Sequence, residues 1–139
     1  MSNLAFIGAN LSTDYPFFVT PFLQNSNVMN YIHDHPRCDL TKILHEASLG
    51  LEYLHSQQFV HGNVKATNIL IDDDGRAVLC NYGLAKIRRD FNLRLPTSVN
   101  LALSIQNWKA PELFSGAEPN KSSDVYSFGM TIYEVRIIS

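Results

Sequence analysis

The stretch that decides the fold is His-Gly-Asn-Val-Lys-Ala-Thr-Asn, residues 61–68. Apolar Phe59-Val60 precedes it, and the apolar strand candidate Ile69–Ile71 follows it. Asp-Asp-Asp-Gly at 72–75 predicts a hairpin turn, because Asp-Gly tolerates positive φ, and Ala77–Leu79 is its return strand. Residues 61–68 are therefore predicted to form a polar loop at the entrance of a β-hairpin.

The clearest helix lies before this loop. Asp39 can cap a helix that runs from Leu40 to about Gln57. One face of that helix is apolar at helical spacing: Leu40, Ile43, Leu44, Ala47, Leu51 and Leu54. Nearer the N-terminus, the apolar stretches 4–11 and 17–23 predict two short strands, joined by a turn at 12–16.

Two further helices are predicted after a long irregular stretch, residues 81–109. Pro111 and Glu112 can open a short helix, since proline fits the first helical position. Ser122-Ser123-Asp124 is predicted to cap the final helix. That helix carries apolar residues at Val125, Phe128, Ile132, Val135 and Ile138. An irregular segment as long as 81–109 inside a compact domain is usually functional.

Composition places the chain among ordinary globular domains. Its 139 residues are 45% hydrophobic and 17% charged, with a net charge of -2. One domain is the natural reading, and nothing predicts a nucleic-acid or membrane partner. The basic stretch Lys86–Arg94 reads as a solvated loop. The two cysteines, Cys38 and Cys80, make no disulfide framework, so we expect a cytoplasmic protein.

Four segments resemble the motifs of protein kinases, in family order and at family distances. Residues 61–68 resemble the catalytic loop His-Arg-Asp-Leu-x-x-x-Asn, and Asn81-Tyr82-Gly83 resembles the Asp-Phe-Gly magnesium motif. Trp108–Glu112 resembles the Ala-Pro-Glu anchor, and 123–129 resembles the start of the central helix. We call the first two segments the catalytic-loop motif and the magnesium motif.

The resemblance covers nearly the whole chain and implies a fold. That fold is α+β: a mainly α-helical kinase C-lobe with short hairpins. Residues 1–23 would be the end of the small lobe and the hinge, and residues 24–139 the C-lobe through its central helix. Most of the small lobe and the last C-lobe helices are expected to be missing. Lys65 and Trp108 point to the Ser/Thr, tyrosine-kinase-like type.

The resemblance also assigns an ATP site. Thr20 would be the gatekeeper, and the hinge would read adenine through the backbone of Pro21 and Leu23. Proline lacks only the N–H, which this contact does not use. Leu70 would lie under the adenine ring, and Cys80 would border the pocket.

Two substitutions weaken the chemistry that the motifs imply. The catalytic base of the family is an aspartate, and Asn63 stands there. An amide is not a base at neutral pH, and losing general-base help typically costs about 10²–10⁴-fold. The magnesium-motif aspartate is replaced by Asn81, so the implied metal ligands Asn68 and Asn81 are both neutral, and Mg²⁺ binding is expected to be weak or absent. Lys65 stays as a catalytic and phosphate-contacting candidate.

Other kinase parts are not visible in the sequence. A glycine-rich loop and a strand lysine grip the phosphates of ATP in the family. The glycines never form a Gly-x-Gly spacing, and every lysine follows the hinge. These parts are therefore expected to be absent.

Without the last helices, the apolar face around Val125, Phe128 and Ile132 would be uncovered. We expect a protein partner to cover it, or the isolated chain to be poorly stable.

These observations favour a pseudokinase that binds nucleotide or serves as an interaction scaffold. The alternative is a weakly active or atypical Ser/Thr kinase that transfers the γ-phosphate of ATP to protein, with a small lobe supplied from elsewhere. An incomplete gene product is the third hypothesis. Small-molecule kinases also use His-Gly-Asp, but they lack the anchor and the central-helix pattern. A calcium loop at 72–75 and a metal site at His33, His35 and Cys38 are disfavoured, because further ligands are absent nearby.

Overall fold

The computed structural model describes residues 3–10, 12, 17–84 and 106–138. Within these residues the architecture is α+β, with two antiparallel hairpins and four helices. No helix in these ranges is long and apolar enough to cross a bilayer. Most of the predicted turn at 12–16 and the basic stretch Lys86–Arg94 lie outside the described residues.

The N-terminal hairpin consists of β1 (Gly8–Asn10) and β2 (Phe17–Val19). The strands pair antiparallel, with Gly8 opposite Val19. Both are shorter than the apolar stretches that predicted them. Leu4 instead joins the second hairpin, because its N–H donates to the Leu79 carbonyl at 2.8 Å. The N-terminal stretch thus connects the exposed first hairpin to the core.

The second hairpin was predicted correctly and lies in the core. Strands β3 (Ile69–Ile71) and β4 (Ala77–Leu79) pair with Ile69 opposite Leu79. All of their side chains are buried except Leu70, which is half-buried. The turn between them places Gly75 at a φ of 73°, a conformation that favours glycine.

Helix α1 (Val28–Asp34) was not predicted. Its cap is Asn27, whose side-chain oxygen accepts from the N–H groups of Met29 and Asn30. Val28 and Ile32 are its two buried residues, too few to give a clear helical period. His33, which the sequence analysis considered only as a disfavoured metal ligand, lies in this helix and is exposed.

Helix α2 (Leu40–Ser56) confirms the strongest helix prediction. The Asp39 side chain accepts from the Lys42 N–H at 3.0 Å, which satisfies one of the free N–H groups of the first turn. The predicted apolar face is buried at Ile43, Leu44, Ala47, Leu51 and Leu54. This face packs against the second hairpin and forms the main core with it.

Two helices follow Trp108 along the chain. Helix α3 (Pro111–Phe114) begins at proline, as predicted. Helix α4 (Lys121–Ile138) begins before the residues that were expected to cap it. The cap is Asn120, whose Oδ1 accepts from the Ser123 N–H at 3.0 Å while its own N–H donates to Ser123 Oγ. Asp124 is therefore not the cap of α4, and its carboxylate can bind the catalytic-loop motif.

The buried face of α4 is mostly polar. Its members are Ser123, Asp124, Ser127, Thr131 and Val135. The buried hydroxyls are satisfied: Ser127 Oγ lies 2.6 Å from the Trp108 carbonyl and 2.9 Å from the Ser123 carbonyl, which share its one proton, and Thr131 Oγ1 donates to the Ser127 carbonyl. Two of the residues predicted to be uncovered are exposed, Val125 at 60% and Ile132 at 36%, while Phe128 is half-buried.

Candidate functional site

Asp124 holds the start of the catalytic-loop motif. Its carboxylate accepts from the N–H groups of His61 and Gly62, both at 2.8 Å, and from His55 Nε2 at 2.9 Å. The Asp124 side chain is 2% exposed, so its charge depends on these three donors. Helix α4 thereby fixes the start of the polar loop that follows α2.

His61 is a neutral structural residue rather than a free base. It is fully buried, and burial lowers its pKa although the nearby Asp124 charge opposes that shift. Its Nδ1 accepts from the Asn63 N–H at 3.3 Å, which leaves the proton of the neutral ring on Nε2. Its carbonyl accepts from the Gly83 N–H, so the catalytic-loop and magnesium motifs are joined directly.

Asn68 is the hub of the site. It ends a short 3₁₀ turn, Ala66–Asn68, and is 4% exposed. Its Nδ2 donates to the Asn63 carbonyl at 2.8 Å, and its own carbonyl accepts from the Cys80 N–H at 3.0 Å. Its Oδ1 accepts from Asn81 Nδ2 at 3.0 Å. We call this last contact the amide pair.

The amide pair determines how well Mg²⁺ fits. The oxygen through which Asn68 could bind a cation already accepts a hydrogen bond from Asn81. Neither side chain carries charge, whereas Mg²⁺ is bound through carboxylates in phosphate sites. No cluster of three His, Cys, Asp or Glu side chains that could hold a metal occurs among the described residues. These residues therefore fit Mg²⁺ poorly.

Asn81 occupies a backbone conformation that suits its side chain. Its φ is 61°, in the left-handed region that asparagine tolerates better than most residues. The next residue is fixed as well, because the Tyr82 hydroxyl donates to the Leu4 carbonyl at 3.0 Å. In the magnesium motif, Asn81 is thus held by its hydrogen bond to Asn68, and Tyr82 by its hydrogen bond to Leu4.

The residues predicted to surround adenine lie partly together. Leu23 and Leu70 are half-buried and pack against the small cluster of Leu4, Val78 and Cys80. The Leu23 carbonyl accepts from the Ser26 N–H at 3.2 Å. Among the described residues, the Leu23 N–H has no hydrogen-bond partner. The residues around Leu23 and Leu70 therefore combine an apolar surface with an available hydrogen-bond donor.

Thr20 and Pro21 lie toward the other side of the site. Thr20 and Asn81 both line a cavity of about 610 Å³, and Tyr82 and the buried His61 also contribute to it. Pro21 is exposed, and its carbonyl has no protein partner in the part of the chain that is described. The predicted gatekeeper thus shares a cavity with Asn81, while the Pro21 carbonyl stays accessible.

Cys80 and Lys65 differ in how exposed they are. Burial raises the pKa of the Cys80 thiol to about 11, so the thiol is protonated at neutral pH. Lys65 is half-exposed and directly precedes the 3₁₀ turn. Within the described ranges, no carboxylate lies within ion-pairing distance of its ammonium. Lys65 is therefore available to an anion.

Glu134 belongs to this site although the sequence analysis did not identify it. A single oxygen, Oε2, accepts from the Ala66 N–H at 3.3 Å and from Trp108 Nε1 at 2.9 Å. The usable signal was that Glu134 is the only charged residue between 125 and 135. Its partners lie 68 and 26 residues away, so spacing along the chain could not reveal them.

Comparison with known proteins identifies the family of the chain. The family model described as protein tyrosine and serine/threonine kinase matches residues 2–138. The chain is 29% identical over 136 residues to "Probable serine/threonine-protein kinase kinX" of Dictyostelium discoideum, covering 95% of this chain and 12% of that protein. It is 32% identical over 136 residues to "Dual specificity protein kinase pyk3" of the same organism, covering 95% of this chain and 10% of that one.

A mammalian relative also matches most of the chain. The chain is 30% identical over 129 residues to "Cytoplasmic tyrosine-protein kinase BMX" of Mus musculus, covering 89% of this chain and 19% of the relative. The chain thus spans only a small part of each of these relatives. Because the family model covers almost every residue, the chain belongs to the protein tyrosine and serine/threonine kinase family.

Proposed function

We propose that this chain is a pseudokinase domain, which binds a nucleotide without transferring its phosphate and acts through a protein partner. The observation that carries the proposal is the amide pair, Asn81 Nδ2 to Asn68 Oδ1 at 3.0 Å. A hydrogen bond between two neutral amides thus takes the position where the family motif has a carboxylate and a cation.

The base position supports the absence of transfer. Asn63 is half-buried, and its backbone carbonyl accepts from Asn68 Nδ2 at 2.8 Å, which holds the residue in place. Its amide could orient a hydroxyl but could not take up the proton. The buried carboxylate of Asp124 cannot replace it, because it already holds the backbone of His61 and Gly62. Phosphoryl transfer would thus lack its proton acceptor.

The amide pair also argues for binding without metal. A cation at Asn68 Oδ1 would have to replace the Asn81 hydrogen bond, which contributes about 0.5–1.5 kcal/mol net. In return it would gain two neutral amide oxygens and no carboxylate. Mg²⁺ loses its hydration water reluctantly, so this exchange is unfavourable. ATP is therefore proposed as the ligand and Mg²⁺ is not.

The adenine side of the site supports nucleotide binding. The Leu23 N–H and the Pro21 carbonyl could form the two hydrogen bonds to adenine, and Leu70 would cover the ring. The free ammonium of Lys65 would face the phosphates. These assignments, with Thr20 and Cys80 at the borders of the pocket, are part of the proposal.

The proposed partner would cover the outer face of α4. This face exposes five large side chains: Val125, Tyr126, Ile132, Tyr133 and Ile137. Contiguous apolar surface of this kind is typical of interaction sites. We further propose a Ser/Thr, tyrosine-kinase-like origin, a hinge that ends at residue 23, and a cytoplasmic setting in which both free cysteines stay reduced.

A thermal-shift titration with ATP tests the proposal, once in EDTA and once in Mg²⁺, beside a radioactive phosphotransfer assay. Stabilisation in EDTA without phosphate transfer is expected. Leu70→Ala should weaken the stabilisation, and Leu49→Ala is the matched control because Leu49 is 43% exposed on α2. No stabilisation by ATP under either condition would contradict nucleotide binding.

The second candidate is a weakly active Ser/Thr kinase, and the availability of Lys65 favours it. Such an enzyme would label an acceptor protein in Mg²⁺, and Lys65→Ala would abolish the labelling. Lys42→Ala is the control for charge, since Lys42 pairs with Glu46 on α2. Labelling that depends on Lys65 would replace the pseudokinase proposal.

A further inference from the structure

We propose that Glu134 is a positioning residue that couples the Trp108 segment, residues 106–110, to the amide pair in the cleft. A ligand in the cleft would then alter the surroundings of Trp108, and a partner at the Trp108 segment would alter ligand affinity. The inference rests on the proposed function, because the cleft in question is the proposed nucleotide site.

The first half of the coupling is the contact of Glu134 with the 3₁₀ turn Ala66–Asn68. Ala66 is fully buried, and its N–H is the first of the turn, where no local carbonyl can accept it. Lys65 before it supplies no side-chain cap. The carboxylate of Glu134 takes that place from a distant helix, and a charged acceptor makes the bond stronger than a neutral one would.

The 3₁₀ turn connects Ala66 to the side-chain contacts that Asn68 makes in the cleft. It is three residues long and closes on itself, since the Asn68 N–H donates to the Lys65 carbonyl at 2.9 Å. Asn68 at its end holds Asn63 through Nδ2 and Asn81 through Oδ1. A displacement of Ala66 therefore displaces both contacts of the Asn68 side chain.

The second half of the coupling is the Trp108 segment. The Trp108 indole donates to the same Glu134 oxygen, and its carbonyl accepts from Ser127 Oγ at 2.6 Å. Ala110, two residues later, is fully buried. Because one oxygen serves both Ala66 and Trp108, a shift of either donor changes the geometry of the other. Coupling between two sites is reciprocal in binding free energy.

Trp108 is the only tryptophan of the chain, so tryptophan fluorescence reports on the surroundings of this one side chain. ATP is titrated in EDTA into the 139-residue chain, with calorimetry measuring binding in parallel. The expected result is a change in Trp108 emission that Glu134→Ala abolishes and Glu134→Gln retains, since the glutamine oxygen can accept both N–H groups. Trp108→Phe should change the ATP affinity about fivefold or more. Tyr133→Phe is the control at an exposed neighbour.

A second arm needs no ligand. Asn68→Ala should shift Trp108 emission in the native chain and should leave it unchanged in the Glu134→Ala background. The coupling is overturned if Asn68→Ala shifts the emission equally with and without Glu134, or if Trp108→Phe leaves the ATP affinity unchanged. Failure of ATP to bind the native chain would count against the proposed function, and the Asn68→Ala arm would still decide the coupling.

Discussion

Replacing Asn81 by aspartate tests the amide pair most sharply. Asn81→Asp keeps the size and shape of the side chain but removes the N–H that donates to Asn68 Oδ1 at 3.0 Å. Two acceptors then face one another, and the buried Asn68 oxygen loses its partner. Removing such a bond costs about 0.5–1.5 kcal/mol, and leaving a buried acceptor unsatisfied costs about 1–3 kcal/mol.

The exposure of Asn81 decides where in this range the effect lies. Asn81 is exposed, so the new carboxylate can rotate into water and avoid most of the repulsion. We therefore expect a loss of about 1–2 kcal/mol in the free energy of unfolding. For a chain of this size the melting temperature would fall by about 3–8 °C.

Mg²⁺ should reverse this loss. The carboxylate and Asn68 Oδ1 would together offer the cation an anionic ligand pair, and Mg²⁺ at ten times its Kd would return about 1.4 kcal/mol. The assay is chemical denaturation in EDTA and in Mg²⁺. Asn81→Ala is the control, because it loses the same hydrogen bond without adding charge and should not respond to Mg²⁺. An Asn81→Asp variant as stable as the native chain in EDTA, and indifferent to Mg²⁺, would refute the reasoning.

Further predictions follow from three buried residues. Asp124→Ala should destabilise the chain by about 3–5 kcal/mol in denaturant titration, since it strands the donors of His61 and Gly62, whereas Asp34→Ala on the surface should cost little. At pH 7.5, iodoacetamide should alkylate Cys80 far more slowly in the native chain than in the unfolded chain, because the thiol is buried. Equal rates of alkylation in the two states would contradict that burial. The Cys80 pKa is raised from 9.0 to about 11, so its contribution to stability is present below pH 9 and should be lost between pH 9 and 11. Burial lowers the pKa of His61 from 6.5, so on acidification the unfolded state binds the proton at a higher pH than the folded state does. The free energy of unfolding should therefore fall as the pH drops below 6.5. His61→Gln should reduce this dependence of stability on pH.

The sequence predicted those elements whose signals are local. Helix α2 has a cap and five buried apolar residues at regular spacing, and the Asp-Gly turn fixes the second hairpin. Helix α1 was missed because a seven-residue helix with two buried side chains gives almost no period. The start of α4 was misplaced because serine and aspartate also suit a cap, whereas Asn120 makes the capping contacts.

The hydrogen bonds of the candidate site could not be predicted from the sequence. The resemblance to kinase motifs assigned Asn68 and Asn81 as weak metal ligands, and the structure places their side chains 3.0 Å apart. The resemblance could not show that the two amides would bond to each other, because side-chain partners depend on the tertiary arrangement. Glu134 was missed for the same reason, since its partners come from the 3₁₀ turn and from the Trp108 segment.

The measurement that tests the central claim most directly is the dissociation constant of ATP by calorimetry, in EDTA and in excess Mg²⁺. A cleft whose cation position is already satisfied by the amide pair should bind ATP in EDTA at least as tightly as in Mg²⁺. Binding that appears only when Mg²⁺ is added would contradict the account.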